Sequence, residues 1–250
     1  MNDSPAAPVV VGVDGSTAAF HAVDWAVREA KDRMTSMRLV YVIDDEETTG
    51  RCEWALECAR SALDRAAGIV ADVAPALVVA TAIERGKADQ VLLDASRDAA
   101  MICIGVDGRR TGPLGTLAAT LAKDAHCPVA IIRDTHAPER PQVGGVVAVV
   151  LDDDADNDAV VHQAMKEGRL RHAVVRQIDR RRDSWVRRFP EVRVETVAAG
   201  TGWCFNGHDR ELPDLAVVGR TDGARIGGIE TPNCHPIVGY PDCSILVVRD

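Results

Sequence analysis

Apolar residues along this chain alternate between short unbroken runs and longer spaced stripes. Val9 to Val13, Leu39 to Ile43, Leu77 to Ile83, Met101 to Ile104 and Val129 to Ile132 are runs of the kind a parallel strand buried on both faces requires. Between the runs, apolar positions recur at three- and four-residue spacing, which sets them on one side of a helix. Phe20, Val23, Val27 and Ala30 form such a stripe over 17–33, and Leu56, Ala59, Leu63, Ala66, Ala67 and Val70 another over 52–73. Val91, Leu92 and Ala95 mark a helix over 88–97. Leu117, Ala118, Leu121, Ala122 and Ala125 mark one that starts after Thr116 and stops at Cys127-Pro128, because a residue before proline disfavours the helical region. This alternation predicts an α/β fold: a mainly parallel sheet with helices on both faces.

A second set of runs follows in worn form. Val146 to Leu151, Ala173 to Ile178, Phe189 to Val197, Leu215 to Val218 and Ile245 to Val248 fit strands, with a short helix over Ala159 to Met165. The endings VAIIRD (129–134) and ILVVRD (245–250) echo each other, a duplication with a period of roughly 115 residues, so two tandem domains. The segment 134–145, DTHAPERPQVGG, has the proline, glycine and polar content of a linker. The organisation expected is a first domain over 1–137, a linker over 138–145 and a reduced second domain over 146–250. The second half is short where helices belong. Little room lies between Ile178 and Phe189, and Pro232, Pro236 and Pro241 would break the helix expected after Gly219 and Gly223.

Composition narrows the function classes. Hydrophobic residues make up 46% of the 250 residues and aromatics only 4%, so the cores are aliphatic. The net charge of −9 argues against a general nucleic-acid binder, which needs a basic face. No apolar stretch reaches the ~20 residues that span a bilayer. MNDSPAAP carries neither the basic start nor the apolar middle of a secretory signal. The seven cysteines are scattered and odd in number, which reads as free thiols in a reducing cytoplasm. Cys204, His208, Cys234 and His235 match no standard structural zinc spacing, and Asp152, Asp153 and Asp154 read as a solvated strand end. Arg180 to Arg182 with Arg187 and Arg188 form a local basic segment around Trp185, read as a solvated face. There is no G-x-S-x-G, H-E-x-x-H or G-K-[ST] motif, so no catalytic set is expected, and any ATP turnover would be slow and incidental.

Two stretches carry candidate chemistry. VVVGVDGS, residues 9–16, is a strand running into Asp14, Gly15 and Ser16, a turn and helix cap. MICIG, from Met101, runs into a glycine-rich segment with Gly105, Gly108, Gly112 and Gly115, followed by Thr116. Such a segment ahead of a helix turns backbone N–H groups toward an anion. Thr116 either caps the helix or gives its hydroxyl to a phosphate; Asp14 either closes a turn or meets a ligand.

These stretches, with the ending HCPVAIIR, resemble the universal stress protein family, closely over residues 8–134 and loosely over 146–250. The resemblance implies a Rossmann-like fold of the adenine nucleotide alpha hydrolase type. It implies two tandem five-stranded sheets of order 3-2-1-4-5 and an adenine nucleotide, ATP or AMP or cyclic AMP, with or without Mg2+, in the first domain. By the same resemblance Asp14, Gly15, Ser16 and the backbone of Val42 lie on the adenine side. Gly105 and Gly108 then lie by the ribose and phosphates, and Gly115 and Thr116 at the phosphates. The family's ATP-binding branch has Gly, two residues, Gly, nine residues, Gly and Ser or Thr. Here Gly105 and Gly108 are followed by only six residues before Gly115-Thr116, a loop three residues short. The function implied is a stress-response sensor or regulator, with the two domains forming a pseudo-dimer, a further homodimer, and an unknown protein partner. The competing expectation is a structural module that binds no nucleotide and acts through protein contacts.

Overall fold

The computed structural model describes residues 6–44, 52–107, 115–134, 145–150, 157–179, 188–198, 214–220 and 243–249. The first half alternates β1 (Val9–Gly12), α1 (Thr17–Asp32), β2 (Met37–Ile43), α2 (Cys52–Val73), β3 (Val79–Arg85), α3 (Ala88–Ala95), β4 (Met101–Asp107), α4 (Thr116–Asp124) and β5 (Val129–Asp134). The second half holds β6 (Val146–Val150), α5 (Asn157–Arg171), β7 (Val174–Asp179), β8 (Val194–Ala198), β9 (Leu215–Val218) and β10 (Ser244–Val247). Most periodic segments thus form the elements their patterns predict, but β8 begins at Val194, five residues into the Phe189–Val197 run, whose start forms a turn instead. β3 starts two residues later than its apolar run, because it is a sheet edge with a half-exposed face. α5 is longer than the Ala159–Met165 stripe, since its flanking turns are polar and carry no apolar period.

All ten strands form one sheet, in the order β3-β2-β1-β4-β5-β10-β9-β6-β7-β8. Each half has the order 3-2-1-4-5 of its own strands, every neighbouring pair parallel. The halves meet at an antiparallel pair, with Ile245 opposite Ile131, Leu246 opposite Ala130 and Val247 opposite Val129. The echoing endings VAIIR and ILVVR are therefore two edge strands that close each other inside one chain, removing two exposed edges. Two apolar layers sandwich the sheet. One gathers α1, α2 and α5 residues with Val9, Val11, Leu39 and Val147; the other gathers α3 and α4 residues with Val10, Ile102, Ile131 and Ile245.

Strand register shows where the second half lost material. Val9 pairs Met37 in the first half and Val147 pairs Val175 in the second, an offset of 138 for both strands. Met37 pairs Val79, but Val175 pairs Val194, so the connection between second and third strand is 23 residues shorter. That is the length of α2 plus one residue. The repeat has no single period: the offset near 138 collapses to near 115 across this connection, which has no room for a counterpart of α2.

Candidate functional site

β1 is shorter than both its neighbours. Its pairing with β2 ends at Gly12 opposite Val40, and its pairing with β4 at Val11 opposite Cys103, while β2 continues to Ile43 and β4 to Asp107. The connections from β1's two sides run in opposite directions, so a notch opens at the carboxyl edge where a doubly wound sheet accepts a ligand. Asp14 and Gly15 floor this notch. The Ser16 N–H donates to Asp14 Oδ1 at 2.9 Å, and Ser16 Oγ accepts from the Ala19 N–H at 3.1 Å, capping α1. Gly15 supplies the positive φ of 84° the turn requires. Asp14 thus closes the turn and remains exposed, and Ser16 is spent on the cap.

A cleft of about 1040 Å³ lies between this turn, the end of β2 and the flank of α2. Asp14, Gly15, Val42 and Asp44 line it together, and the structure adds residues that sequence reasoning missed: Tyr41, Trp54, Glu57, Cys58 and Arg65. The Arg65 guanidinium lies 4.3 Å from the Phe20 ring centre, a cation–π contact that holds a positive group in the wall. Burial, then Cys58 and Asp14, push the Tyr41 hydroxyl above its usual value, so it is a donor at neutral pH. Trp54 is 64% exposed, an indole face presented to solvent beside the opening. The signal for these residues existed only in three dimensions, because α2 must cross β2 before Trp54 and Arg65 reach Asp14.

The glycines of the second motif separate into different roles. Gly105 lies inside β4 rather than in a loop: a Cβ there would stand 2.1 Å from the carbonyl carbon and oxygen of Ala18 and 2.4 Å from the Ala19 nitrogen. Its missing side chain lets the first turn of α1 cross the strand. Among the described residues nothing lies within 4 Å of the Cβ position of Gly115, which is the N-cap of α4 and makes no side-chain hydrogen bond. Thr116 is the first helical residue, so it is not the cap, and the first amides of α4 carry no side-chain partner at the cap. Gly108 lies outside the described residues, as do Asp152 to Asp154, Arg180 to Arg182, Trp185, Cys204, His208, Cys234 and His235. Among the described residues, no group of three or more His, Cys, Asp or Glu is arranged to hold a metal ion, and no helix is long and apolar enough to cross a membrane.

Residues 6–133 match the model of the universal stress protein family. Two universal stress proteins of Mycobacterium tuberculosis strain H37Rv align along nearly their whole length. Rv2624c is 35% identical over 96% of this chain and 96% of its own. Rv3134c is 36% identical over 98% of this chain and 97% of its own. The fold also matches a crystal structure of a universal stress protein from Archaeoglobus fulgidus, with a TM-score of 0.64 at 13% identity over 98% of this chain and 97% of that one. The chain belongs to the universal stress protein family.

Proposed function

We propose that the first half of the chain binds an adenine nucleotide and that the protein acts as a nucleotide-responsive regulator rather than an enzyme. The observation that carries this reading is the notch beyond β1, where Asp14, Gly15 and Val42 converge on one cleft at the same sheet edge as the uncapped start of α4. The nucleoside occupies the cleft, with the base against the backbone of β2 and the ribose toward Asp14. Its phosphates leave toward Gly115 and Thr116, where first-turn amides without a side-chain cap and the helix dipole favour negative charge. Mg2+, if taken up, enters with the phosphates, since the lining shows no cation cage. The lining sets three carboxylates, Asp14, Asp44 and Glu57, against Arg65. That balance and the short glycine loop favour AMP or cyclic AMP over ATP. The second half, without an α2 counterpart, lacks one wall of an equivalent cleft and serves as the pseudo-symmetric partner of the first. The domain division at 137 and 146, a cytoplasmic location and recruitment of a protein partner are part of the same reading.

Titration calorimetry with Mg-ATP, ADP, AMP and cyclic AMP, after extraction of any co-purified nucleotide, tests the proposal. One nucleotide per chain, with binding weakened in Gly115→Val, supports it. Silence at millimolar ligand favours the module that works through protein contacts alone.

A further inference from the structure

α1 and α5 hold equivalent places in the two halves, at the same offset of 138 that relates β1 to β6 and β2 to β7. Both helices end in the same way. Met34 and His172 each adopt a φ of 52°, and the following amides, Thr35 and Ala173, reach back to Ala30 and Gly168 at 3.0 and 2.9 Å. On that offset Glu29 corresponds to Glu167 and Arg33 to Arg171, in the segments EAKDR (29–33) and EGRLR (167–171). A twofold-like relation brings equivalent residues face to face near its axis, so it sets carboxyl against carboxyl.

The two carboxyl groups are buried, with side chains 2% and 1% exposed for Glu29 and Glu167. Glu167 accepts on both oxygens: Gln163 Nε2 donates to Oε1 at 2.7 Å and Arg171 Nε to Oε2 at 2.9 Å. Arg171 Nη2 donates to Glu29 Oε1 at 3.1 Å, and its guanidinium stacks 4.5 Å from the Trp25 ring centre. Arg33 Nε stands 3.6 Å from Glu29 Oε2 and makes no hydrogen bond. One guanidinium therefore draws the two buried carboxyl groups together, Nη2 on Glu29 and Nε on Glu167, and two carboxyl groups so gathered can bond to each other only when one carries a proton. From β4 below, the buried Cys103 thiol is held well above its usual value by burial and then by Glu29; at the rim Asp32 and Arg169 stand 3.9 Å apart.

We propose that Glu29 and Glu167 share one proton across the seam between the two halves, and that release of this proton loosens the seam, making it a pH-responsive clasp. Both oxygens of Glu167 are taken by donors, Gln163 and Arg171, which places the shared proton on Glu29. Burial first, and Glu167 second, push the Glu29 carboxyl up to about 8, against the opposing pull of Arg171 and Arg33. Above that pH two buried carboxylates meet, and Arg171 is already committed to both.

Infrared difference spectroscopy of the full chain reads the proton directly, through the carbonyl band of a protonated carboxyl. The band should be present at neutral pH, bleach as the pH rises through about 8, and be missing in both Glu29→Gln and Glu167→Gln. Melting curves supply the second readout. From about pH 6 to about pH 8 the melting temperature of the native chain should fall by several degrees relative to Glu29→Gln, whose amide keeps a donor toward Glu167. A chain with no such band at neutral pH, a band that survives Glu29→Gln, or parallel melting curves would overturn the proposal. Should Glu29→Gln fail to fold by circular dichroism, the band in the native chain and its loss in Glu167→Gln decide the matter.

Discussion

Replacing Gly105 with alanine puts one methyl group where the packing of α1 on β4 has no room for it. The new Cβ would lie 2.1 Å from two backbone atoms of Ala18 and 2.4 Å from a third, on Ala19. Unstrained carbon contacts are about 3.5–4.0 Å, so the first turn of α1 must retreat by more than about 1 Å. The neighbour is backbone, not a flexible side chain, and α1 is held along its length by Ala22, Val23, Ala26 and Val27, each 0% exposed. Overpacking of this kind costs about 1–3 kcal/mol and sometimes more; with a rigid helix opposite, about 3 kcal/mol is expected. Of a total stability of roughly 5–15 kcal/mol this is a large share. The melting temperature should drop by about 6–12 °C for a chain of this size. Guanidinium denaturation followed by far-ultraviolet circular dichroism is the assay, and the midpoint should fall with the slope unchanged. Gly115→Ala is the control. Its Cβ meets nothing within 4 Å among the described residues at a φ of −55°, so the modest loss at a helix cap and the gain in backbone stiffness offset each other within about 0.5 kcal/mol. A Gly105→Ala chain as stable as Gly115→Ala would refute the close crossing of α1 over β4.

Other expectations follow from the same contacts. Ser16→Ala removes the hydroxyl that accepts from Ala19 and should cost about 1 kcal/mol in urea denaturation. Leu246→Ala empties a fully buried position on the strand that joins the halves and should cost about 2–5 kcal/mol by the same assay; a smaller loss would mean the β5–β10 pairing contributes little. The pH dependence has a definite sign. The Glu29 carboxyl is held above its ordinary 4.5, so the folded chain keeps a proton the unfolded chain releases. Its contribution is full below about 4.5 and is lost as the pH rises through about 8, at about 1.4 kcal/mol per pH unit at most, then levels off. The difference in unfolding free energy between the native chain and Glu29→Gln, measured across that window, should show this slope.

Much of the fold was legible because strands buried on both faces read as unbroken Val and Ile runs, and α1, α2 and α4 carry clear apolar stripes. The duplication was legible at the strand endings, but its changing offset was not, since only strand register locates the missing α2 counterpart. At the site, the Asp14-Gly15-Ser16 turn was readable from local chemistry. Gly105 and Gly115 looked alike as sequence; a helix crossing from elsewhere separates them. Tyr41, Trp54 and Arg65 passed as ordinary strand and helix residues because their convergence depends on how α2 lies over β2. Glu29 and Arg171 give no sequence signal for the same reason: nothing local tells a charge that faces water from one that faces its own counterpart in the other half.

Calorimetric titration of the nucleotide-free chain with AMP, cyclic AMP, ADP and Mg-ATP tests the nucleotide cleft most directly. The expected result is one site per chain, tighter for AMP or cyclic AMP than for Mg-ATP, and weakened by Gly115→Val without change in the melting curve. No heat with any of the four at millimolar concentration, and no nucleotide released from the freshly purified protein on denaturation, would contradict it.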